Sequence, residues 1–346
     1  MTETIDARKL EQLCSAILQH QGIAPDDADF VAQTLVDTDL RGVHSHGSMR
    51  LGRYVRELKS GVTNPHPSIG ISAEGPAFAC VDGDGGLGQL VGRLAMQTCM
   101  AKARSAGSAT VTARRSRHFG AAGTYCLMAA AEDLIGLTMT VASSRLAPTG
   151  GSKALFGNNP IALAVPGDQE FTLLIDFAMG KIAAGKLELA AAAGTTLPAG
   201  MIRDKHGNPT TDPQVGLEGT IVPIGEHKGY ALTLLIEILA GLLGGAPYFN
   251  IARDQVADHV RQTGIGHFFM VIDPSRFMPI DRFKATIAAM AQGIKASPHS
   301  QGVDEILVPG EIEHRLRLER LEQGIPLAAS TLEMLRDLAV ECSLDF

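Results

Sequence analysis

Strand-forming runs at 135–141, 161–165 and 171–175 follow one another with no helical pattern between them, and this constrains the fold more than any other feature of the chain. They are apolar, partly β-branched, and separated by segments carrying Gly, Pro and Asn. Parallel neighbours need a crossover of a dozen or more residues, usually a helix, whereas antiparallel ones close through short loops. Elsewhere helices do alternate with strands. A run at 77–82 leads to a helical pattern at 89–106, then a run at 108–112 and a helical pattern at 121–132, and a late run occupies 267–272. The expectation is an α/β fold around a mixed sheet. A regular doubly wound sheet, or a barrel of eight repeated βα units, needs an alternation that residues 135–175 lack.

Both ends of the chain read as helical. Apolar residues recur at helical spacing in three segments within 7–60, and again in 282–296, 311–323 and 331–342. This predicts a helical domain built from residues 1–75 and 282–346, a small α/β subdomain at 76–120 and a mixed-sheet domain at 121–281. Residues 229–245 are apolar on nearly every face, but Glu237 stands at their centre and their length falls short of the ~20 residues that span a bilayer. They are expected to form a buried core helix, with no membrane as partner. A net charge of -7 without a basic run argues against nucleic acid as a partner. Five cysteines without a Cys-x-x-Cys pair read as reduced thiols of a cytoplasmic protein, and the polar N-terminus lacks the apolar core of a secretory signal.

Chemistry concentrates at 42–50, Gly-Val-His-Ser-His-Gly-Ser-Met-Arg, directly after a helical pattern. Histidine titrates near neutrality, and Arg50, four residues after His46, would share its helical face and could clamp a carboxylate bidentately. A proton carrier beside an anion clamp suits chemistry on a small acid. Two other readings compete. His44 and His46 have the spacing by which a strand points two imidazoles at one zinc ion, as in a zinc-dependent hydrolase, although residues two apart on a helix diverge. Gly-Asp-Gly-Gly-Leu-Gly at 83–88 matches the Gly-x-Gly-x-x-Gly fingerprint between a strand and a helix, as in a Rossmann-type dehydrogenase, but the acid about 20 residues on is missing. Arg114 and Arg115 there could instead suit a 2′-phosphate. His118 after a strand, Asp176 ending the run 171–175, His227 and Lys228 opening the apolar helix, and the turn at 157–160 complete the candidates.

Taken in order, several segments resemble one family. They are Leu-Arg-Gly-Val-His-Ser-His-Gly at 40–47 with Arg50 and Tyr54, Arg-His-Phe-Gly-Ala-Ala at 117–122, Pro-Thr-Gly-Gly at 148–151 and Gly-Asn-Asn-Pro-Ile-Ala at 157–162. Asp176, His-Lys-Gly-Tyr at 227–230, Gly-His-Phe-Phe at 266–269 and Pro-Gly-Glu at 309–311 follow. The chain resembles, over nearly its whole length, the non-Rossmann malate/L-lactate dehydrogenase family, which includes sulfolactate and ureidoglycolate dehydrogenases, diketogulonate reductase and piperideine-2-carboxylate reductase. The resemblance implies the sulfolactate dehydrogenase type of fold, a homodimer or a multiple of it, and a cofactor, NAD or NADP, held by residues 121–281. The implied reaction is reversible hydride transfer at C2 of a small 2-oxo acid or cyclic imino acid. His46 would be the proton donor and acceptor, with Ser45 hydrogen-bonding beside it and Asp176 supporting the imidazolium. Arg50 would bind the substrate carboxylate, and His118 would contact substrate from the opposite side and share the acid/base work. His46, Gly150, Gly151, Asn159, Pro160, Asp176, Phe177, Ala178, His227, Lys228, Gly310 and Glu311 would contact the cofactor, and no metal is implied. The chain departs from the family in three places, one of them Gly-Asn-Asn-Pro at 157–160 where Gly-Thr-Asn-Pro is usual. Asp-Phe-Ala-Met-Gly at 176–180 lacks the two hydroxyls of the family's Asp-Met-Ala-Thr-Ser, and Arg117 stands where Asn is common, adding a cation beside the pocket.

Overall fold

The computed structural model describes residues 3–247 and 264–345. Its largest sheet has seven strands, in spatial order Gly70–Gly75, Phe78–Asp82, Ser108–Ser116, Ile265–Ile272, Ile135–Thr140, Pro160–Val165 and Leu173–Ala178. Only Phe78–Asp82 and Ser108–Ser116 pair in parallel, and they are the pair joined by a helix, Gly88–Ala106. The short loops between 135 and 178 give antiparallel neighbours, as the spacing predicts. Successive side chains on a strand point to opposite faces, and the strand Ile265–Ile272 shows what each face buries. Phe269 and Val271 join a core with the helices Gly88–Ala106 and Gly123–Ala130, while Phe268 joins another with Met139, Ile236 and Ala240. With both faces covered, the sheet is a rigid platform.

A separate core brings the chain ends together. Leu10 to Leu58 pack with Ile325, Leu327, Leu332, Leu335 and Leu338, and a short strand pair, Glu3–Ile5 with Ile325–Leu327, ties the two ends. The helix Ile280–Lys295 goes to the large sheet instead, laying Phe283, Ile287 and Ala291 against Val165 and Leu173.

Three features differ from the sequence expectation. The strand ending the antiparallel run extends to Ala178, so Asp176 lies within it, opposite Ala162, and not at its end. A second sheet of five strands, two or three residues each, joins Ser144–Leu146 and Phe156–Gly157 to Ile202–Arg203, Pro209–Thr210 and Thr220–Ile221; strands so short carry no readable period. The apolar helix His227–Ile236, continued as a π-turn through Leu242, is buried on one face only. Leu232, Leu235, Ile238, Leu242 and Leu243 are exposed, so apolar composition there marks a surface to be covered and not an interior already covered.

The loop 83–88 is not a phosphate cradle. Its Gly83, Gly85 and Gly86 N–H groups donate to Arg114, Arg115 and Gly83 carbonyls, and Arg115 is paired with Asp82 and Asp84. The donors and cations that would meet a dinucleotide are consumed, and the sheet is not doubly wound, which removes the Rossmann-type reading. The last glycine has a different task. A Cβ on Gly88 would overlap the Arg117 carbonyl oxygen and sit 2.6 Å from the His118 carbonyl carbon. Only glycine lets the helix start touch the backbone that carries His118. Gly88→Ala is therefore expected to lose about 1–3 kcal/mol of stability and to lower kcat by displacing His118. Thermal melts with initial rates check this, and a variant matching wild type in both contradicts the packing argument.

Candidate active site

The helix Pro25–Leu40 stops where Gly42 takes φ +83, and two single 3₁₀ turns, His44–His46 and Ser48–Arg50, lead into the helix Leu51–Lys59. One carboxylate organises this passage. Asp39, 1% exposed, accepts from His44 Nδ1 at 2.8 Å through Oδ1 and from the Ser48 N–H at 2.7 Å through Oδ2. A Cβ on Gly47 would collide with that carboxylate, so the position admits only glycine. With His44 held to Asp39, His46 turns the other way and sets Nδ1 2.9 Å from Ser45 Oγ. The two imidazoles thus diverge, and no group of three or more His, Cys, Asp or Glu that could hold a metal occurs among the described residues. The zinc-hydrolase reading has no support in this geometry. Arg50 Nε donates to the Ser45 carbonyl at 2.5 Å, and among the described residues no group bonds to its two terminal nitrogens.

The opposite wall is the segment leaving the strand Ser108–Ser116. His267, fully buried, fixes it: Nδ1 lies 2.7 Å from Thr140 Oγ1, Nε2 lies 2.8 Å from Ser116 Oγ, and the ring stacks on Phe119 at 4.3 Å. His118 is thereby brought over His46, with ring centroids 5.5 Å apart. Its Nδ1 is 2.8 Å from the Tyr54 hydroxyl, which in turn accepts from Gln89 Nε2 at 2.9 Å. Asp176 accepts from the Gly123 N–H at 2.8 Å, so its bonded partner is the start of the helix Gly123–Ala130 and not an imidazole.

These side chains surround a cavity of about 950 Å³. Ser45, His46, Arg50, His118, Pro160, Asp176, Phe177, Ala178 and Gly310 line it, together with Arg53, Arg117, Arg145 and Lys186. Gly150, Gly151, Asn159, His227, Lys228 and Glu311 stand outside its wall. Asn159, wholly buried, works from behind, accepting from the Ala142 N–H and donating to Glu237. Glu311 pins the other side by accepting from the Val308 N–H while paired with Lys295 and Arg315. His227 and Lys228 begin a helix at the exposed surface, and Gly150 and Gly151 sit in a turn of the small sheet's connection. Asp39 and Gln89 carry no motif of their own. Asp39, five residues before His44, could be found only by asking what satisfies the turn.

Burial and cations govern the electrostatics. His46 is pushed down to about 4, first by desolvation and then by the Arg50 charge. His118 is held well below the usual histidine range by burial, with His46, Arg53 and Arg50 adding to it. Asp176 opens onto the cavity, but the walls close around it, and desolvation raises its carboxyl to about 6 against the opposing Gly123 N–H.

Residues 5–336 match the family model described as malate/L-lactate dehydrogenase, and the chain belongs to that family. It is 40% identical over 331 residues to a malate dehydrogenase of Pyrococcus horikoshii, covering 93% of this chain and 91% of that one. It is 33% identical over 340 residues to the (2R)-3-sulfolactate dehydrogenase (NADP(+)) of Chromohalobacter salexigens, covering 98% and 99%. The solved sulfolactate dehydrogenase of Methanocaldococcus jannaschii superposes with a TM-score of 0.91 at 37% identity, over 99% of this chain and 98% of that one. The fold is the mixed-sheet type of these dehydrogenases.

Because the folded chain disfavours the His46 imidazolium, the unfolded chain takes up that proton first as the pH falls. The resulting loss of stability falls between about 6.5 and about 4. Arg50→Gln removes the cationic contribution and is expected to move the His46 pKa upward. Histidine titration by NMR reads this directly, and a pKa that stays put or falls would show that Arg50 does not govern the imidazole.

Proposed function

We propose that this chain is an NAD(P)H-dependent oxidoreductase that moves hydride to or from C2 of a small 2-oxo or 2-hydroxy acid, with His46 carrying the proton and Arg50 binding the carboxylate. One observation carries the reading: a titratable imidazole and a guanidinium whose two terminal nitrogens are unclaimed among the described residues face one cavity, in a chain of a dehydrogenase family. The names of the relatives, malate and sulfolactate dehydrogenases, support the substrate class.

The cavity fits a nicotinamide cofactor as well as an acid. Its volume exceeds what a three- or four-carbon acid fills, and Ile175 and Phe177, exposed along the edge strand, offer an apolar strip with Pro160 and Ala178. Lys186 adds a cation suited to phosphate, while Arg145 is paired with Glu188. Pro160, Phe177, Ala178, Gly310 and Lys186 are the residues that would hold it, with Asn159 and Glu311 bracing the wall behind. When bound, the nicotinamide ring supplies or removes the hydride.

The protein's part is proton and charge management. Arg50 takes the substrate carboxylate through its terminal nitrogens, and that anion offsets the Arg50 charge, which after desolvation is the second cause holding the His46 pKa down. His46 then gains a proton as substrate binds, and passes it to the C2 oxygen where negative charge develops; in the oxidative direction it removes the hydroxyl proton. Ser45 orients the ring through Nδ1. Asp176 adds to the cavity a carboxyl that titrates near neutrality.

The exposed leucines and isoleucines of the helix beginning at His227 support a homodimer, since a second copy would cover an apolar face that water now meets. The five free cysteines are consistent with a cytoplasmic setting.

His46→Ala is expected to lower kcat about 10²–10⁴-fold with the fold intact, as measured with NADH and NADPH against oxaloacetate, sulfopyruvate and pyruvate; near-normal kcat would reject His46 as proton carrier. Arg50→Ala is expected to weaken substrate binding by about 2–5 kcal/mol. An unchanged KM would remove the carboxylate clamp from the account.

A further inference from the structure

Gly120, at φ +79, turns its backbone N–H toward His118 Nδ1 at 3.4 Å. A backbone N–H can only donate, so that ring nitrogen must be bare. The assignment spreads outward. The Tyr54 hydroxyl, 2.8 Å from the same nitrogen, must donate to it, and its oxygen is left to accept from the buried amide of Gln89 at 2.9 Å. Two donors therefore converge on Nδ1, and neutral His118 keeps its hydrogen on Nε2. Among the described residues no group bonds to Nε2, and His118 lines the cavity beside His46.

We propose that Gln89 and Tyr54 are positioning residues that fix His118 as a neutral Nε2–H hydrogen-bond donor to the C2 oxygen of the substrate. The proposal rests on the dehydrogenase reading above. It divides the work between the stacked rings: His46 exchanges the proton, and His118 stabilises the oxygen without exchanging one. An Nε2–H tautomer has no lone pair at Nε2 with which to act as base, and protonation at Nδ1 would set N–H against N–H at Gly120. Burial and the surrounding cations disfavour the imidazolium for the same ring.

The relay has a polarity, and one substitution reverses it. In Gln89→Glu a carboxylate can only accept from Tyr54, so the phenol oxygen must turn its lone pair to His118 and draw the proton onto Nδ1, leaving Nε2 bare. The test is made on the full-length enzyme in two parts. Histidine-ring ¹⁵N spectra of the resting wild type, with the His118 signals identified by their loss in His118→Asn, are expected to show Nε2 protonated and Nδ1 bare. The reverse tautomer overturns the proposal whatever the variants do. Gln89→Glu is expected to lower kcat at least tenfold with KM for the cofactor within twofold and His118 switched to Nδ1–H, while Gln89→His, able to donate again, recovers part of the rate. A folded Gln89→Glu with wild-type kcat overturns it. If Gln89→Glu does not fold, the wild-type spectrum decides. If no 2-oxo or 2-hydroxy acid is turned over, the dehydrogenase reading fails, and the spectrum still reports the tautomer separately.

Discussion

The turn that carries Ser45, His46 and Arg50 hangs from the buried carboxylate of Asp39. It sits at the last turn of the helix Pro25–Leu40 and accepts from both His44 and the Ser48 N–H, so it ends one helix and shapes the two tight turns that follow. Burying a carboxylate is unfavourable unless its oxygens are satisfied, and here the hydrogen bonds that satisfy it also set the direction of His46. From the far end of the chain, Arg320 donates to the Asp39 carbonyl and Arg317 pairs with Asp37 one turn earlier. The helix Glu311–Gln323 therefore braces the turn from the other end of the chain. His44, one of two histidines in a tempting pair, turns out to be part of this brace.

The second constraint is dielectric. His46 and His118 face each other at stacking distance among arginines and buried walls, so desolvation and the neighbouring cations disfavour the imidazolium of both. On the proposed reading, a carboxylate docked on Arg50 would supply the countercharge that the imidazoles lack. Substrate binding and proton loading would, on that reading, be one event. Asp176, raised to about 6 by the same enclosure, shows the opposite sign of the same effect.

Much of this was legible in the sequence. The absence of helices between 135 and 175 excluded the doubly wound sheet and the barrel, and the mixed sheet follows. The strand and helix positions near His118 and the Gly42 stop were readable because periodicity and glycine punctuation are local. What was not readable depended on long-range contact. The small sheet is assembled from strands of two or three residues, the helix at His227 looked buried because composition cannot say whose surface covers it, and Asp176 lies inside a strand whose last three residues include an exposed Phe177. Gln89 has no sequence signal at all: an amide on a helix gains meaning only when Tyr54 and His118 arrive from elsewhere in the chain.

The measurement that tests the central claim most directly follows the hydrogen at C2. A 2-hydroxy acid deuterated at that carbon, malate or sulfolactate, is oxidised with NAD⁺ or NADP⁺, and the reduced cofactor is isolated and weighed by mass spectrometry. The account predicts one deuterium in the nicotinamide ring, with the hydroxyl proton alone passing through His46 to solvent. Deuterium recovered in water, or no oxidation of any 2-hydroxy acid offered, would contradict it.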